Sequence, residues 1–387
     1  MLKYLGLLVL KFVAIFSAPY TGVISSNLNP GTTGCPAGSV CVSFHLCRDD
    51  TVLKDGSGLL ESRVDYDDGA AECINFLEIC CRLYDSAPKQ PAPTIPSTEV
   101  KSEPKKLYET CGTGIVDEIS LKITADRDSE TTFGEFPWMV AIVAEQMIEK
   151  RMELNIYQCG GSLIHPEVVL TAAHCVFDKS STILKVRAGE WDTQSNEEPF
   201  PHQDRFVSLI VINEGFNKDT LFNDIALLIM ASPFKLAENV RTVCLPPPTY
   251  ALSSNLNCVA TGWGKDRYGK VGKFSTVLKK VDLPLVASDV CEANLRSTRL
   301  GPYFELHDSF LCAGGEAGKD TCKGDGGSPL VCAMVEQPER YYQVGVVAWG
   351  IGCGDDIPAV YASTVKTREW IDEQFSRYAL DNKYYLK

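Results

Sequence analysis

Short apolar runs separated by turn residues fill the C-terminal two-thirds of the chain. From residue 123 onward, runs such as WMVAIVAE, SLIVIN, DIALLIM and YYQVGVVAW alternate with glycine, proline, asparagine and aspartate. Runs of this length and spacing are typical of a large antiparallel β domain. The segment TREWIDEQF, at 367–375, has the apolar spacing of one amphipathic helix. The sequence therefore predicts a mainly β domain over residues 123–377 and a short C-terminal tail over 378–387.

The residues before this domain show no such alternation and divide into three segments. Residues 1–18 place Lys3 before an apolar run that ends in small residues, which is the pattern of a signal peptide. A membrane anchor is the alternative, but the run is short and contains Lys11. Residues 34–82 carry six cysteines in a segment too small to bury a large core. Residues 83–122 are rich in proline, serine and lysine and read as a linker.

Composition and charge narrow the classes of function. The chain has 387 residues, 45% of them hydrophobic, which is enough for one large core and a small module. Its net charge of −13, without a basic block, is a poor match for nucleic acid, whose phosphates attract cations. Sixteen cysteines, mostly outside the CxxC spacing of zinc sites, favour disulfides in an oxidising compartment. We therefore expect a secreted protein, with neither nucleic acid nor a membrane as its partner.

Three short motifs contain residue types that serine proteolysis needs. That chemistry uses a base, an orienting carboxylate, a nucleophile and an oxyanion hole. His174 in LTAAHCV is a candidate base, and Asp224 in NDIALL is a carboxylate that needs a partner such as a histidine N–H. Each signal alone is weak, because a single histidine is more often structural and an aspartate at a strand start more often belongs to a turn. In the third motif, GDGGSPLVC, Gly326 follows Asp325 where a nucleophilic hydrolase would have serine.

Taken in order, these motifs resemble those of the chymotrypsin-like serine proteases. The resemblance runs from GEFPWMVAI through TAAHC, NDIALL and TGWG to AWGIGCG and covers residues 123–375. It implies a chymotrypsin-like double β-barrel. The six-cysteine segment in front resembles the clip domain of arthropod proteases. The combination resembles a clip-domain serine protease homologue, as in prophenoloxidase-activating cofactors and masquerade-like proteins.

The resemblance puts Gly326 at the nucleophile position and so implies a protein that is not an enzyme. A serine-to-glycine substitution, or loss of serine from a longer GDSGGSP form, gives the same result. Ser328 follows two residues later, too far along the chain to come within about 3 Å of the base. Loss of the nucleophile lowers turnover on the order of a million-fold. By resemblance, His174 and Asp224 are vestiges of the triad, and the N–H groups of Gly324 and Gly326 are remnants of an oxyanion hole.

The specificity pocket of the family is also altered. Asp320, six residues before Gly326, corresponds to the acid that binds arginine or lysine in trypsin-like members, and Gly350 belongs to the same remnant. Ala359 in IPAVY replaces the usual glycine, and we expect its methyl group to narrow the pocket. Ala348 in VAWG replaces a usual serine, which taken alone is explained by harmless variation. Together with the missing nucleophile, these changes suggest that selection for catalysis has relaxed.

The resemblance further implies an activation switch. Active members of the family begin at a freed isoleucine whose ammonium group pairs with the aspartate before the nucleophile. Here Lys122 precedes Ile123, and Asp325 is the implied counter-ion, since a buried carboxylate needs a cation. The usual IVGG is absent, cleavage after Arg127 is the lesser alternative, and an exposed loop without a role is a third interpretation. In a protein without activity, the change of shape after cleavage would be the signal.

The resemblance pairs all sixteen cysteines and leaves no free thiol. The pairs implied for the clip segment are Cys35–Cys80, Cys41–Cys73 and Cys47–Cys81. The pairs implied for the protease-like domain are Cys159–Cys175, Cys258–Cys332, Cys291–Cys312 and Cys322–Cys353. The remaining pair, Cys111–Cys244, would tether the light chain after cleavage.

One acidic segment raises the question of a metal ion. The segment GEWDTQSNEEPFPHQD, at 189–204, lies where some relatives of the family bind calcium. Clustered carboxylates bind calcium in some loops, but an acidic loop is more often only solvated. We expect no other cofactor or metal.

These inferences combine into one favoured function and two alternatives. The favoured function is that of a secreted haemolymph regulator, cleaved by an upstream protease, that binds prophenoloxidase or another protein of an arthropod immune cascade. The resemblance suggests phenoloxidase activation and melanisation, and the cleaved form is a candidate for self-association. The alternatives are a weak trypsin-like endopeptidase and an extracellular adhesion or pattern-recognition protein.

Overall fold

The structure, a computed structural model, describes residues 39–43, 47–48, 51–52, 78–82, 110–115, 129–148, 152–195, 198–254, 256–266 and 272–387. For the segments before residue 110, and for 146–148 and 152–155, it describes the backbone alone. The expected signal peptide and the bond between Lys122 and Ile123 lie outside these residues. None of the described helices is long and apolar enough to cross a membrane.

Four short strands form a small sheet in the clip segment. They are β1 (Ser39–Ser43), β2 (Cys47–Arg48), β3 (Thr51–Val52) and β4 (Glu78–Arg82), in the order β1-β4-β3-β2. β1 and β4 are antiparallel, and Cys41 lies opposite Cys80. The three disulfides implied for this segment involve side chains outside the described ones, so they stay predictions.

Two closed six-stranded barrels follow, which confirms the predicted mainly β, chymotrypsin-like fold. The first barrel contains β5 (Met139–Ile148), β6 (Met152–His165), β7 (Val168–Thr171), β8 (Leu184–Ala188), β9 (Gln203–Ile212) and β10 (Ala226–Met230). The second contains β11 (Asn257–Gly262), β12 (Lys279–Val286), β13 (Phe310–Gly314), β14 (Pro329–Met334), β15 (Gln337–Trp349) and β16 (Pro358–Ser363). Each closed barrel pairs all of its strands, so neither leaves an open sheet edge.

Each barrel encloses a core made by the inward-facing apolar side chains of its strands. In the first barrel the largest fully buried side chains include Trp138, Ile142 and Leu163. In β12 of the second barrel, the alternation in KKVDLPLV buries Leu283 and Leu285. The period-two pattern therefore sets which face of each strand turns inward.

Two helices accompany the second barrel. α1 (Ser288–Arg296) lies before β13, and α2 (Thr364–Arg377) extends beyond the predicted helix at both ends. α2 begins where the Ser363 hydroxyl accepts the Lys366 N–H at 3.4 Å. Its Ile371 and Phe375, four residues apart, are buried against the first core.

The last ten residues pack against the domain. Tyr385 is fully buried, and its hydroxyl donates to Asp372 Oδ1 of α2 at 2.6 Å. Its ring meets Phe375 edge-on at a centroid distance of 4.8 Å. The Leu245 N–H donates to the Tyr385 carbonyl at 3.0 Å. The predicted tail is therefore part of the domain's packing.

Five disulfides join the described residues in the pairs that the resemblance implies. They are Cys111–Cys244, Cys159–Cys175, Cys258–Cys332, Cys291–Cys312 and Cys322–Cys353. The first holds residues 110–115 against the second barrel, where the Gly112 N–H donates to the Thr242 carbonyl at 2.8 Å. Gly112 has a φ of +74°, and a Cβ there would press on the Tyr341 backbone, so this position requires glycine.

His165, at the end of β6, is buried in its neutral form. Its Nδ1 accepts the Glu167 N–H at 3.0 Å, and its ring lies edge-on to Tyr384 at 4.7 Å between centroids. Burial lowers the pKa of His165 to about 4, although the nearby Asp381 opposes this shift. Protonation would remove the acceptor for the Glu167 N–H and place a charge under the C-terminal segment.

We predict that His165 makes the folded state less stable in mild acid. Because its pKa in the folded chain lies below the usual 6.5, its contribution is complete above about pH 6.5 and is lost as the pH falls toward 4. The expected loss in the free energy of unfolding between pH 7 and pH 5 is about 2 kcal/mol. His165→Asn keeps an acceptor but does not titrate, so denaturant unfolding at the two pH values should differ less. An equal difference in parent and variant would contradict this assignment.

Candidate functional site

His174 and Asp224 form a hydrogen-bonded pair on the first barrel. His174 lies in the 3₁₀ turn Ala173–Cys175 that follows β7, and Asp224 precedes β10. His174 Nδ1 donates to Asp224 Oδ2 at 2.6 Å, and the His174 backbone N–H donates to Oδ1 at 2.7 Å. Asp224 is fully buried, whereas the His174 side chain is 27% exposed. The carboxylate therefore fixes the imidazole and leaves Nε2 facing the cleft.

Gly326 lies beside Nε2, the other ring nitrogen of His174. A Cβ built on Gly326 would be 2.9 Å from His174 Nε2 and 3.6 Å from Cys159 Sγ. The structure thus brings the three predicted triad positions together, and the third has no hydroxyl to offer. The close approach also means that the imidazole has to shift by a few tenths of an ångström before any side chain fits at this position.

Ser328 points away from the base. It is fully buried, and its Oγ has no hydrogen-bond partner within the described part of the chain. A Cβ on Gly160 would overlap this oxygen, and one on Gly262 would lie 3.4 Å from it. Ser328 therefore fills the seam between the barrels and is not available as a nucleophile.

The loop that carries the oxyanion-hole remnant is held from the first barrel. The Tyr157 hydroxyl donates to the Gly324 carbonyl at 2.9 Å, and the Gly160 N–H donates to the Gly326 carbonyl at 2.9 Å. Gly324 has a φ of +102°, a region that favours glycine. Burial raises the pKa of Tyr157, and the nearby Asp325 raises it further. Sequence reasoning missed Tyr157, whose only signal is its position beside the QCGG motif.

Asp325 is a buried carboxylate with backbone donors on both oxygens. Gly264 N–H donates to Oδ1 at 2.8 Å, and Cys322 N–H donates to Oδ2 at 2.9 Å. Burial raises its pKa to about 6, opposed by these N–H groups and by the charge of Lys279. Among the described residues, no basic side chain forms an ion pair with it. A cavity of about 270 Å³ opens beside it, and Lys279 and Ser129 are among its lining residues.

Three residues of the predicted pocket remnant lie in the described second barrel: Asp320, Gly350 and Ala359. Asp320 Oδ2 accepts the Gly354 N–H at 3.1 Å, and Oδ1 is buried with no hydrogen-bond partner among the described residues. Burial raises the pKa of Asp320 to about 6, against the effect of the Gly354 N–H. The Ala359 methyl group lies 4.0 Å from the position of a Cβ on Gly350. Ala359 and Gly350 are therefore close neighbours, and their arrangement with Asp320 as a pocket stays a prediction.

The acidic loop between β8 and β9 places Glu190 between two basic side chains. Arg187 Nη1 lies 3.2 Å from Glu190 Oε2, and His202 Nδ1 lies 3.2 Å from the same oxygen. Burial raises the pKa of Glu190, and repulsion by Glu198 adds to the shift. Calcium takes six to eight oxygen ligands. Two of the groups beside Glu190 are nitrogen donors, and calcium in this loop stays a prediction, because residues 196–197 lie outside the described ones.

Comparison with known proteins gives matches to both domains. Residues 126–371 match the trypsin family, and residues 29–82 match the family described as serine protease clip domain PPAF-2. Phenoloxidase-activating factor 2 of Galleria mellonella is 46% identical over 303 residues, 77% of this chain and 99% of that protein. The inactive CLIP domain-containing serine proteases A28 and A8 of Anopheles gambiae are 36% and 32% identical. Those two alignments cover 91% and 87% of this chain, and 93% and 88% of the relatives.

Restoring the hydroxyl should restore part of the chemistry. We expect Gly326→Ser, cleaved after Lys122, to hydrolyse an arginine-containing chromogenic peptide at least about a hundredfold faster than the cleaved parent. Adding Ser328→Gly should leave this rate unchanged, because the Ser328 hydroxyl lies in the adjoining seam and makes no hydrogen bond to the base. The measurement is turnover under single-turnover and steady-state conditions.

The control for this experiment is His174→Ala in the Gly326→Ser background, which should return the rate to that of the parent. Activity in the parent that survives repurification and disappears in its own His174→Ala variant would contradict the inactive assignment. If neither Gly326→Ser nor the double variant with Ser328→Gly hydrolyses the peptide, a second defect lies around Ala359.

The methyl group of Ala359 should weaken cation binding in the pocket. We expect Ala359→Gly to bind benzamidine about tenfold more tightly than the parent at pH 7.5, since one methyl in a closed pocket is worth about that factor. Because an amidinium needs the carboxylate, affinity should fall as the pH drops through about 6, the pKa of Asp320. Titration calorimetry measures both effects. Asp320→Asn is the control, and it should lose benzamidine binding. Equal affinities of the parent and Ala359→Gly would show that the Ala359 methyl group does not obstruct benzamidine.

Proposed function

The chain belongs to the trypsin family and joins its double barrel to a clip domain, and from this membership we propose that it is a secreted, non-catalytic cofactor of a phenoloxidase-activating cascade. The observation that supports this proposal most directly is Gly326. It lies beside His174 Nε2 without a hydroxyl, while His174 and Asp224 are hydrogen-bonded to each other. The protein is a catalytically inactive protease homologue. A scaffold kept in this form acts through the surfaces that it presents to other proteins.

The names of two groups of relatives support the cascade. Phenoloxidase-activating factor 2, which this chain matches over 99% of that protein's length, is named for the step that it promotes. The mosquito relatives with the same two-domain composition are named as inactive proteases. A non-catalytic cofactor that binds prophenoloxidase or its activating protease agrees with both names, the activating factor and the inactive protease. The haemolymph is the compartment in which such a secreted cofactor meets these partners.

The cavity beside Asp325 supports cleavage after Lys122 as the switch. Ser129 lines this cavity, and Ile123 is six residues upstream, a span of at most about 20 Å. A new ammonium group at Ile123 can therefore reach the carboxylate. Pairing with a cation would lower the pKa of Asp325 and stabilise the loop that carries Gly324 and Gly326. The upstream protease thereby changes the shape of an inert protein, and the new shape is the form that binds its partners.

Other functions have less support. A weak endopeptidase needs a nucleophile, and Ser328 points into the seam between the barrels. An adhesion or pattern-recognition role is compatible with an inactive scaffold, but no feature of the described residues favours it. That role becomes one outcome of the following test.

We predict that the cleaved full-length chain increases phenoloxidase activity when it is added to prophenoloxidase and its activating protease. The measurement is the rate of dopachrome formation, with complex size followed by size-exclusion chromatography. Lys122→Gln should abolish the increase, because it prevents cleavage. Arg127→Gln is the matched control, because it removes the lesser cleavage candidate. It should leave the increase in phenoloxidase activity unchanged.

Two further results separate the interpretations. His174→Ala should act like the parent, because the cofactor role does not use the base. An unchanged rate together with unchanged complex size would overturn the cascade role. Retention of the cleaved protein on bacterial or fungal cell walls, without an effect on phenoloxidase, would favour recognition of microbial polymers.

A further inference from the structure

Lys279, the first residue of β12, extends toward the buried carboxylate of Asp325. It lies directly opposite Gly262 in the antiparallel pair of β11 and β12. A Cβ built on Gly262 would overlap Asp325 Oδ1 and would lie 3.0 Å from Asp325 Cγ. Residues that lie opposite each other on antiparallel strands project their side chains to the same face of the sheet. The Lys279 side chain therefore lies on the face of the sheet that Asp325 occupies.

The Lys279 ammonium group can reach this carboxylate without a movement of the backbone. Opposite Cβ atoms are about 4.5–5.5 Å apart, so the Lys279 Cβ lies at most about 8.5 Å from Asp325 Cγ. An extended lysine stem carries Nζ about 5 Å beyond Cβ. A change of rotamer therefore brings the two charges within ion-pair distance. Burial raises the pKa of Asp325 to about 6, and the charge of Lys279 is among the effects that oppose this shift.

The other lysines around the cavity beside Asp325 are engaged elsewhere. Besides Lys279, the residues that line this cavity include Lys265, Lys280 and Lys319. Lys280 and Lys319 each form an ion pair with a glutamate, at 2.5 and 2.9 Å between nitrogen and oxygen. Lys265 places its ammonium group 5.4 Å from the centre of an aromatic ring. Lys279 is half-buried and forms no ion pair within the described part of the chain, so its charge is the one available to the carboxylate.

The loop around Asp325 depends on the stability of this buried carboxylate. The Ser328 N–H donates to the Asp325 carbonyl at 3.0 Å, and the Gly327 N–H donates to the Val347 carbonyl at 2.9 Å. A cation next to the carboxylate lowers the cost of keeping it buried in charged form. The loop should then open less often, and its amide groups should exchange their hydrogens more slowly with water.

We propose that Lys279 pairs with Asp325 in the uncleaved chain and holds the loop in place until cleavage supplies the ammonium group of Ile123. The uncleaved chain then has part of the loop order that cleavage completes, and the switch is graded. The second half of this inference, the replacement of Lys279 by Ile123, rests on the proposed function. The ion pair itself does not, because it is a property of the chain before cleavage.

The test measures hydrogen exchange in the full-length, uncleaved chain by mass spectrometry, at the peptide that spans residues 322–328. Lys279→Gln removes the ammonium group and should make the protected amides of this peptide exchange about tenfold faster than in the parent. Lys279→Arg keeps a cation and should exchange like the parent. The matched control is Lys280→Gln, the same chemical change at a neighbouring residue that points to the opposite face and pairs with Glu135. This control should also exchange like the parent.

A double-mutant cycle shows whether the effect passes through the carboxylate. In an Asp325→Asn background, Lys279→Gln should cause no further acceleration of exchange. After cleavage at Lys122, the Ile123 ammonium group should return the exchange of Lys279→Gln to that of the cleaved parent.

Two results would overturn the proposal: exchange at the parent rate in uncleaved Lys279→Gln, or an equal acceleration in the Asp325→Asn background. Either would do so even if cleavage slowed exchange in the parent, as the proposed function expects. An acceleration that depends on Asp325 but persists after cleavage would support the ion pair and contradict the cleavage switch. The failure of this inference and the failure of the proposed function therefore give different results.

Discussion

The burial of the Asp325 carboxylate is the constraint on which the rest of the site depends. Its two oxygens accept backbone N–H groups from Gly264 and Cys322, and a Cβ on Gly262 or Gly264 would overlap the carboxylate. This contact sets where the following Gly326 lies against the first barrel. The same carboxylate has no ion-pair partner among the described residues, so the two backbone N–H groups are its direct partners. One buried carboxylate therefore sets the geometry of the site, and in the proposed function it is also the group that responds to cleavage.

The parts of the triad that remain are those whose loss would damage the fold. Asp224 is fully buried and binds both the ring and the backbone of His174. Removing the histidine would leave a buried carboxylate without its partner, which costs several kcal/mol. Gly326, by contrast, satisfies no buried group through a side chain, so the hydroxyl is dispensable to the fold. Structural cost alone thus explains why a base and its carboxylate persist in a protein without a nucleophile.

The sequence predicts the order of the functional positions better than their contacts. Motif order is enough to bring His174 and Asp224 together, and apolar alternation is enough for a mainly β domain. The direction of Ser328 depends on the absence of a side chain at Gly160, and that contact spans 168 residues without a local signal. The docking of Tyr385 is likewise a long-range packing event, so its segment reads only as a tail. The acidic loop shows the same limit, because its charge count says nothing of the guanidinium from β8 that lies beside Glu190.

By resemblance to the family, the positions that differ from its pattern belong to the substrate-binding side of the site. Gly326, Ala348 and Ala359 lie where an enzyme would touch its substrate. Tyr157 and Gly160, which hold the loop from the first barrel through hydrogen bonds of 2.9 Å, contact only the protein itself. Substrate contacts have been altered while the contacts that position the loop are in place. In the proposed function a partner protein would recognise the position of this loop, and a nucleophile would contribute nothing to that contact.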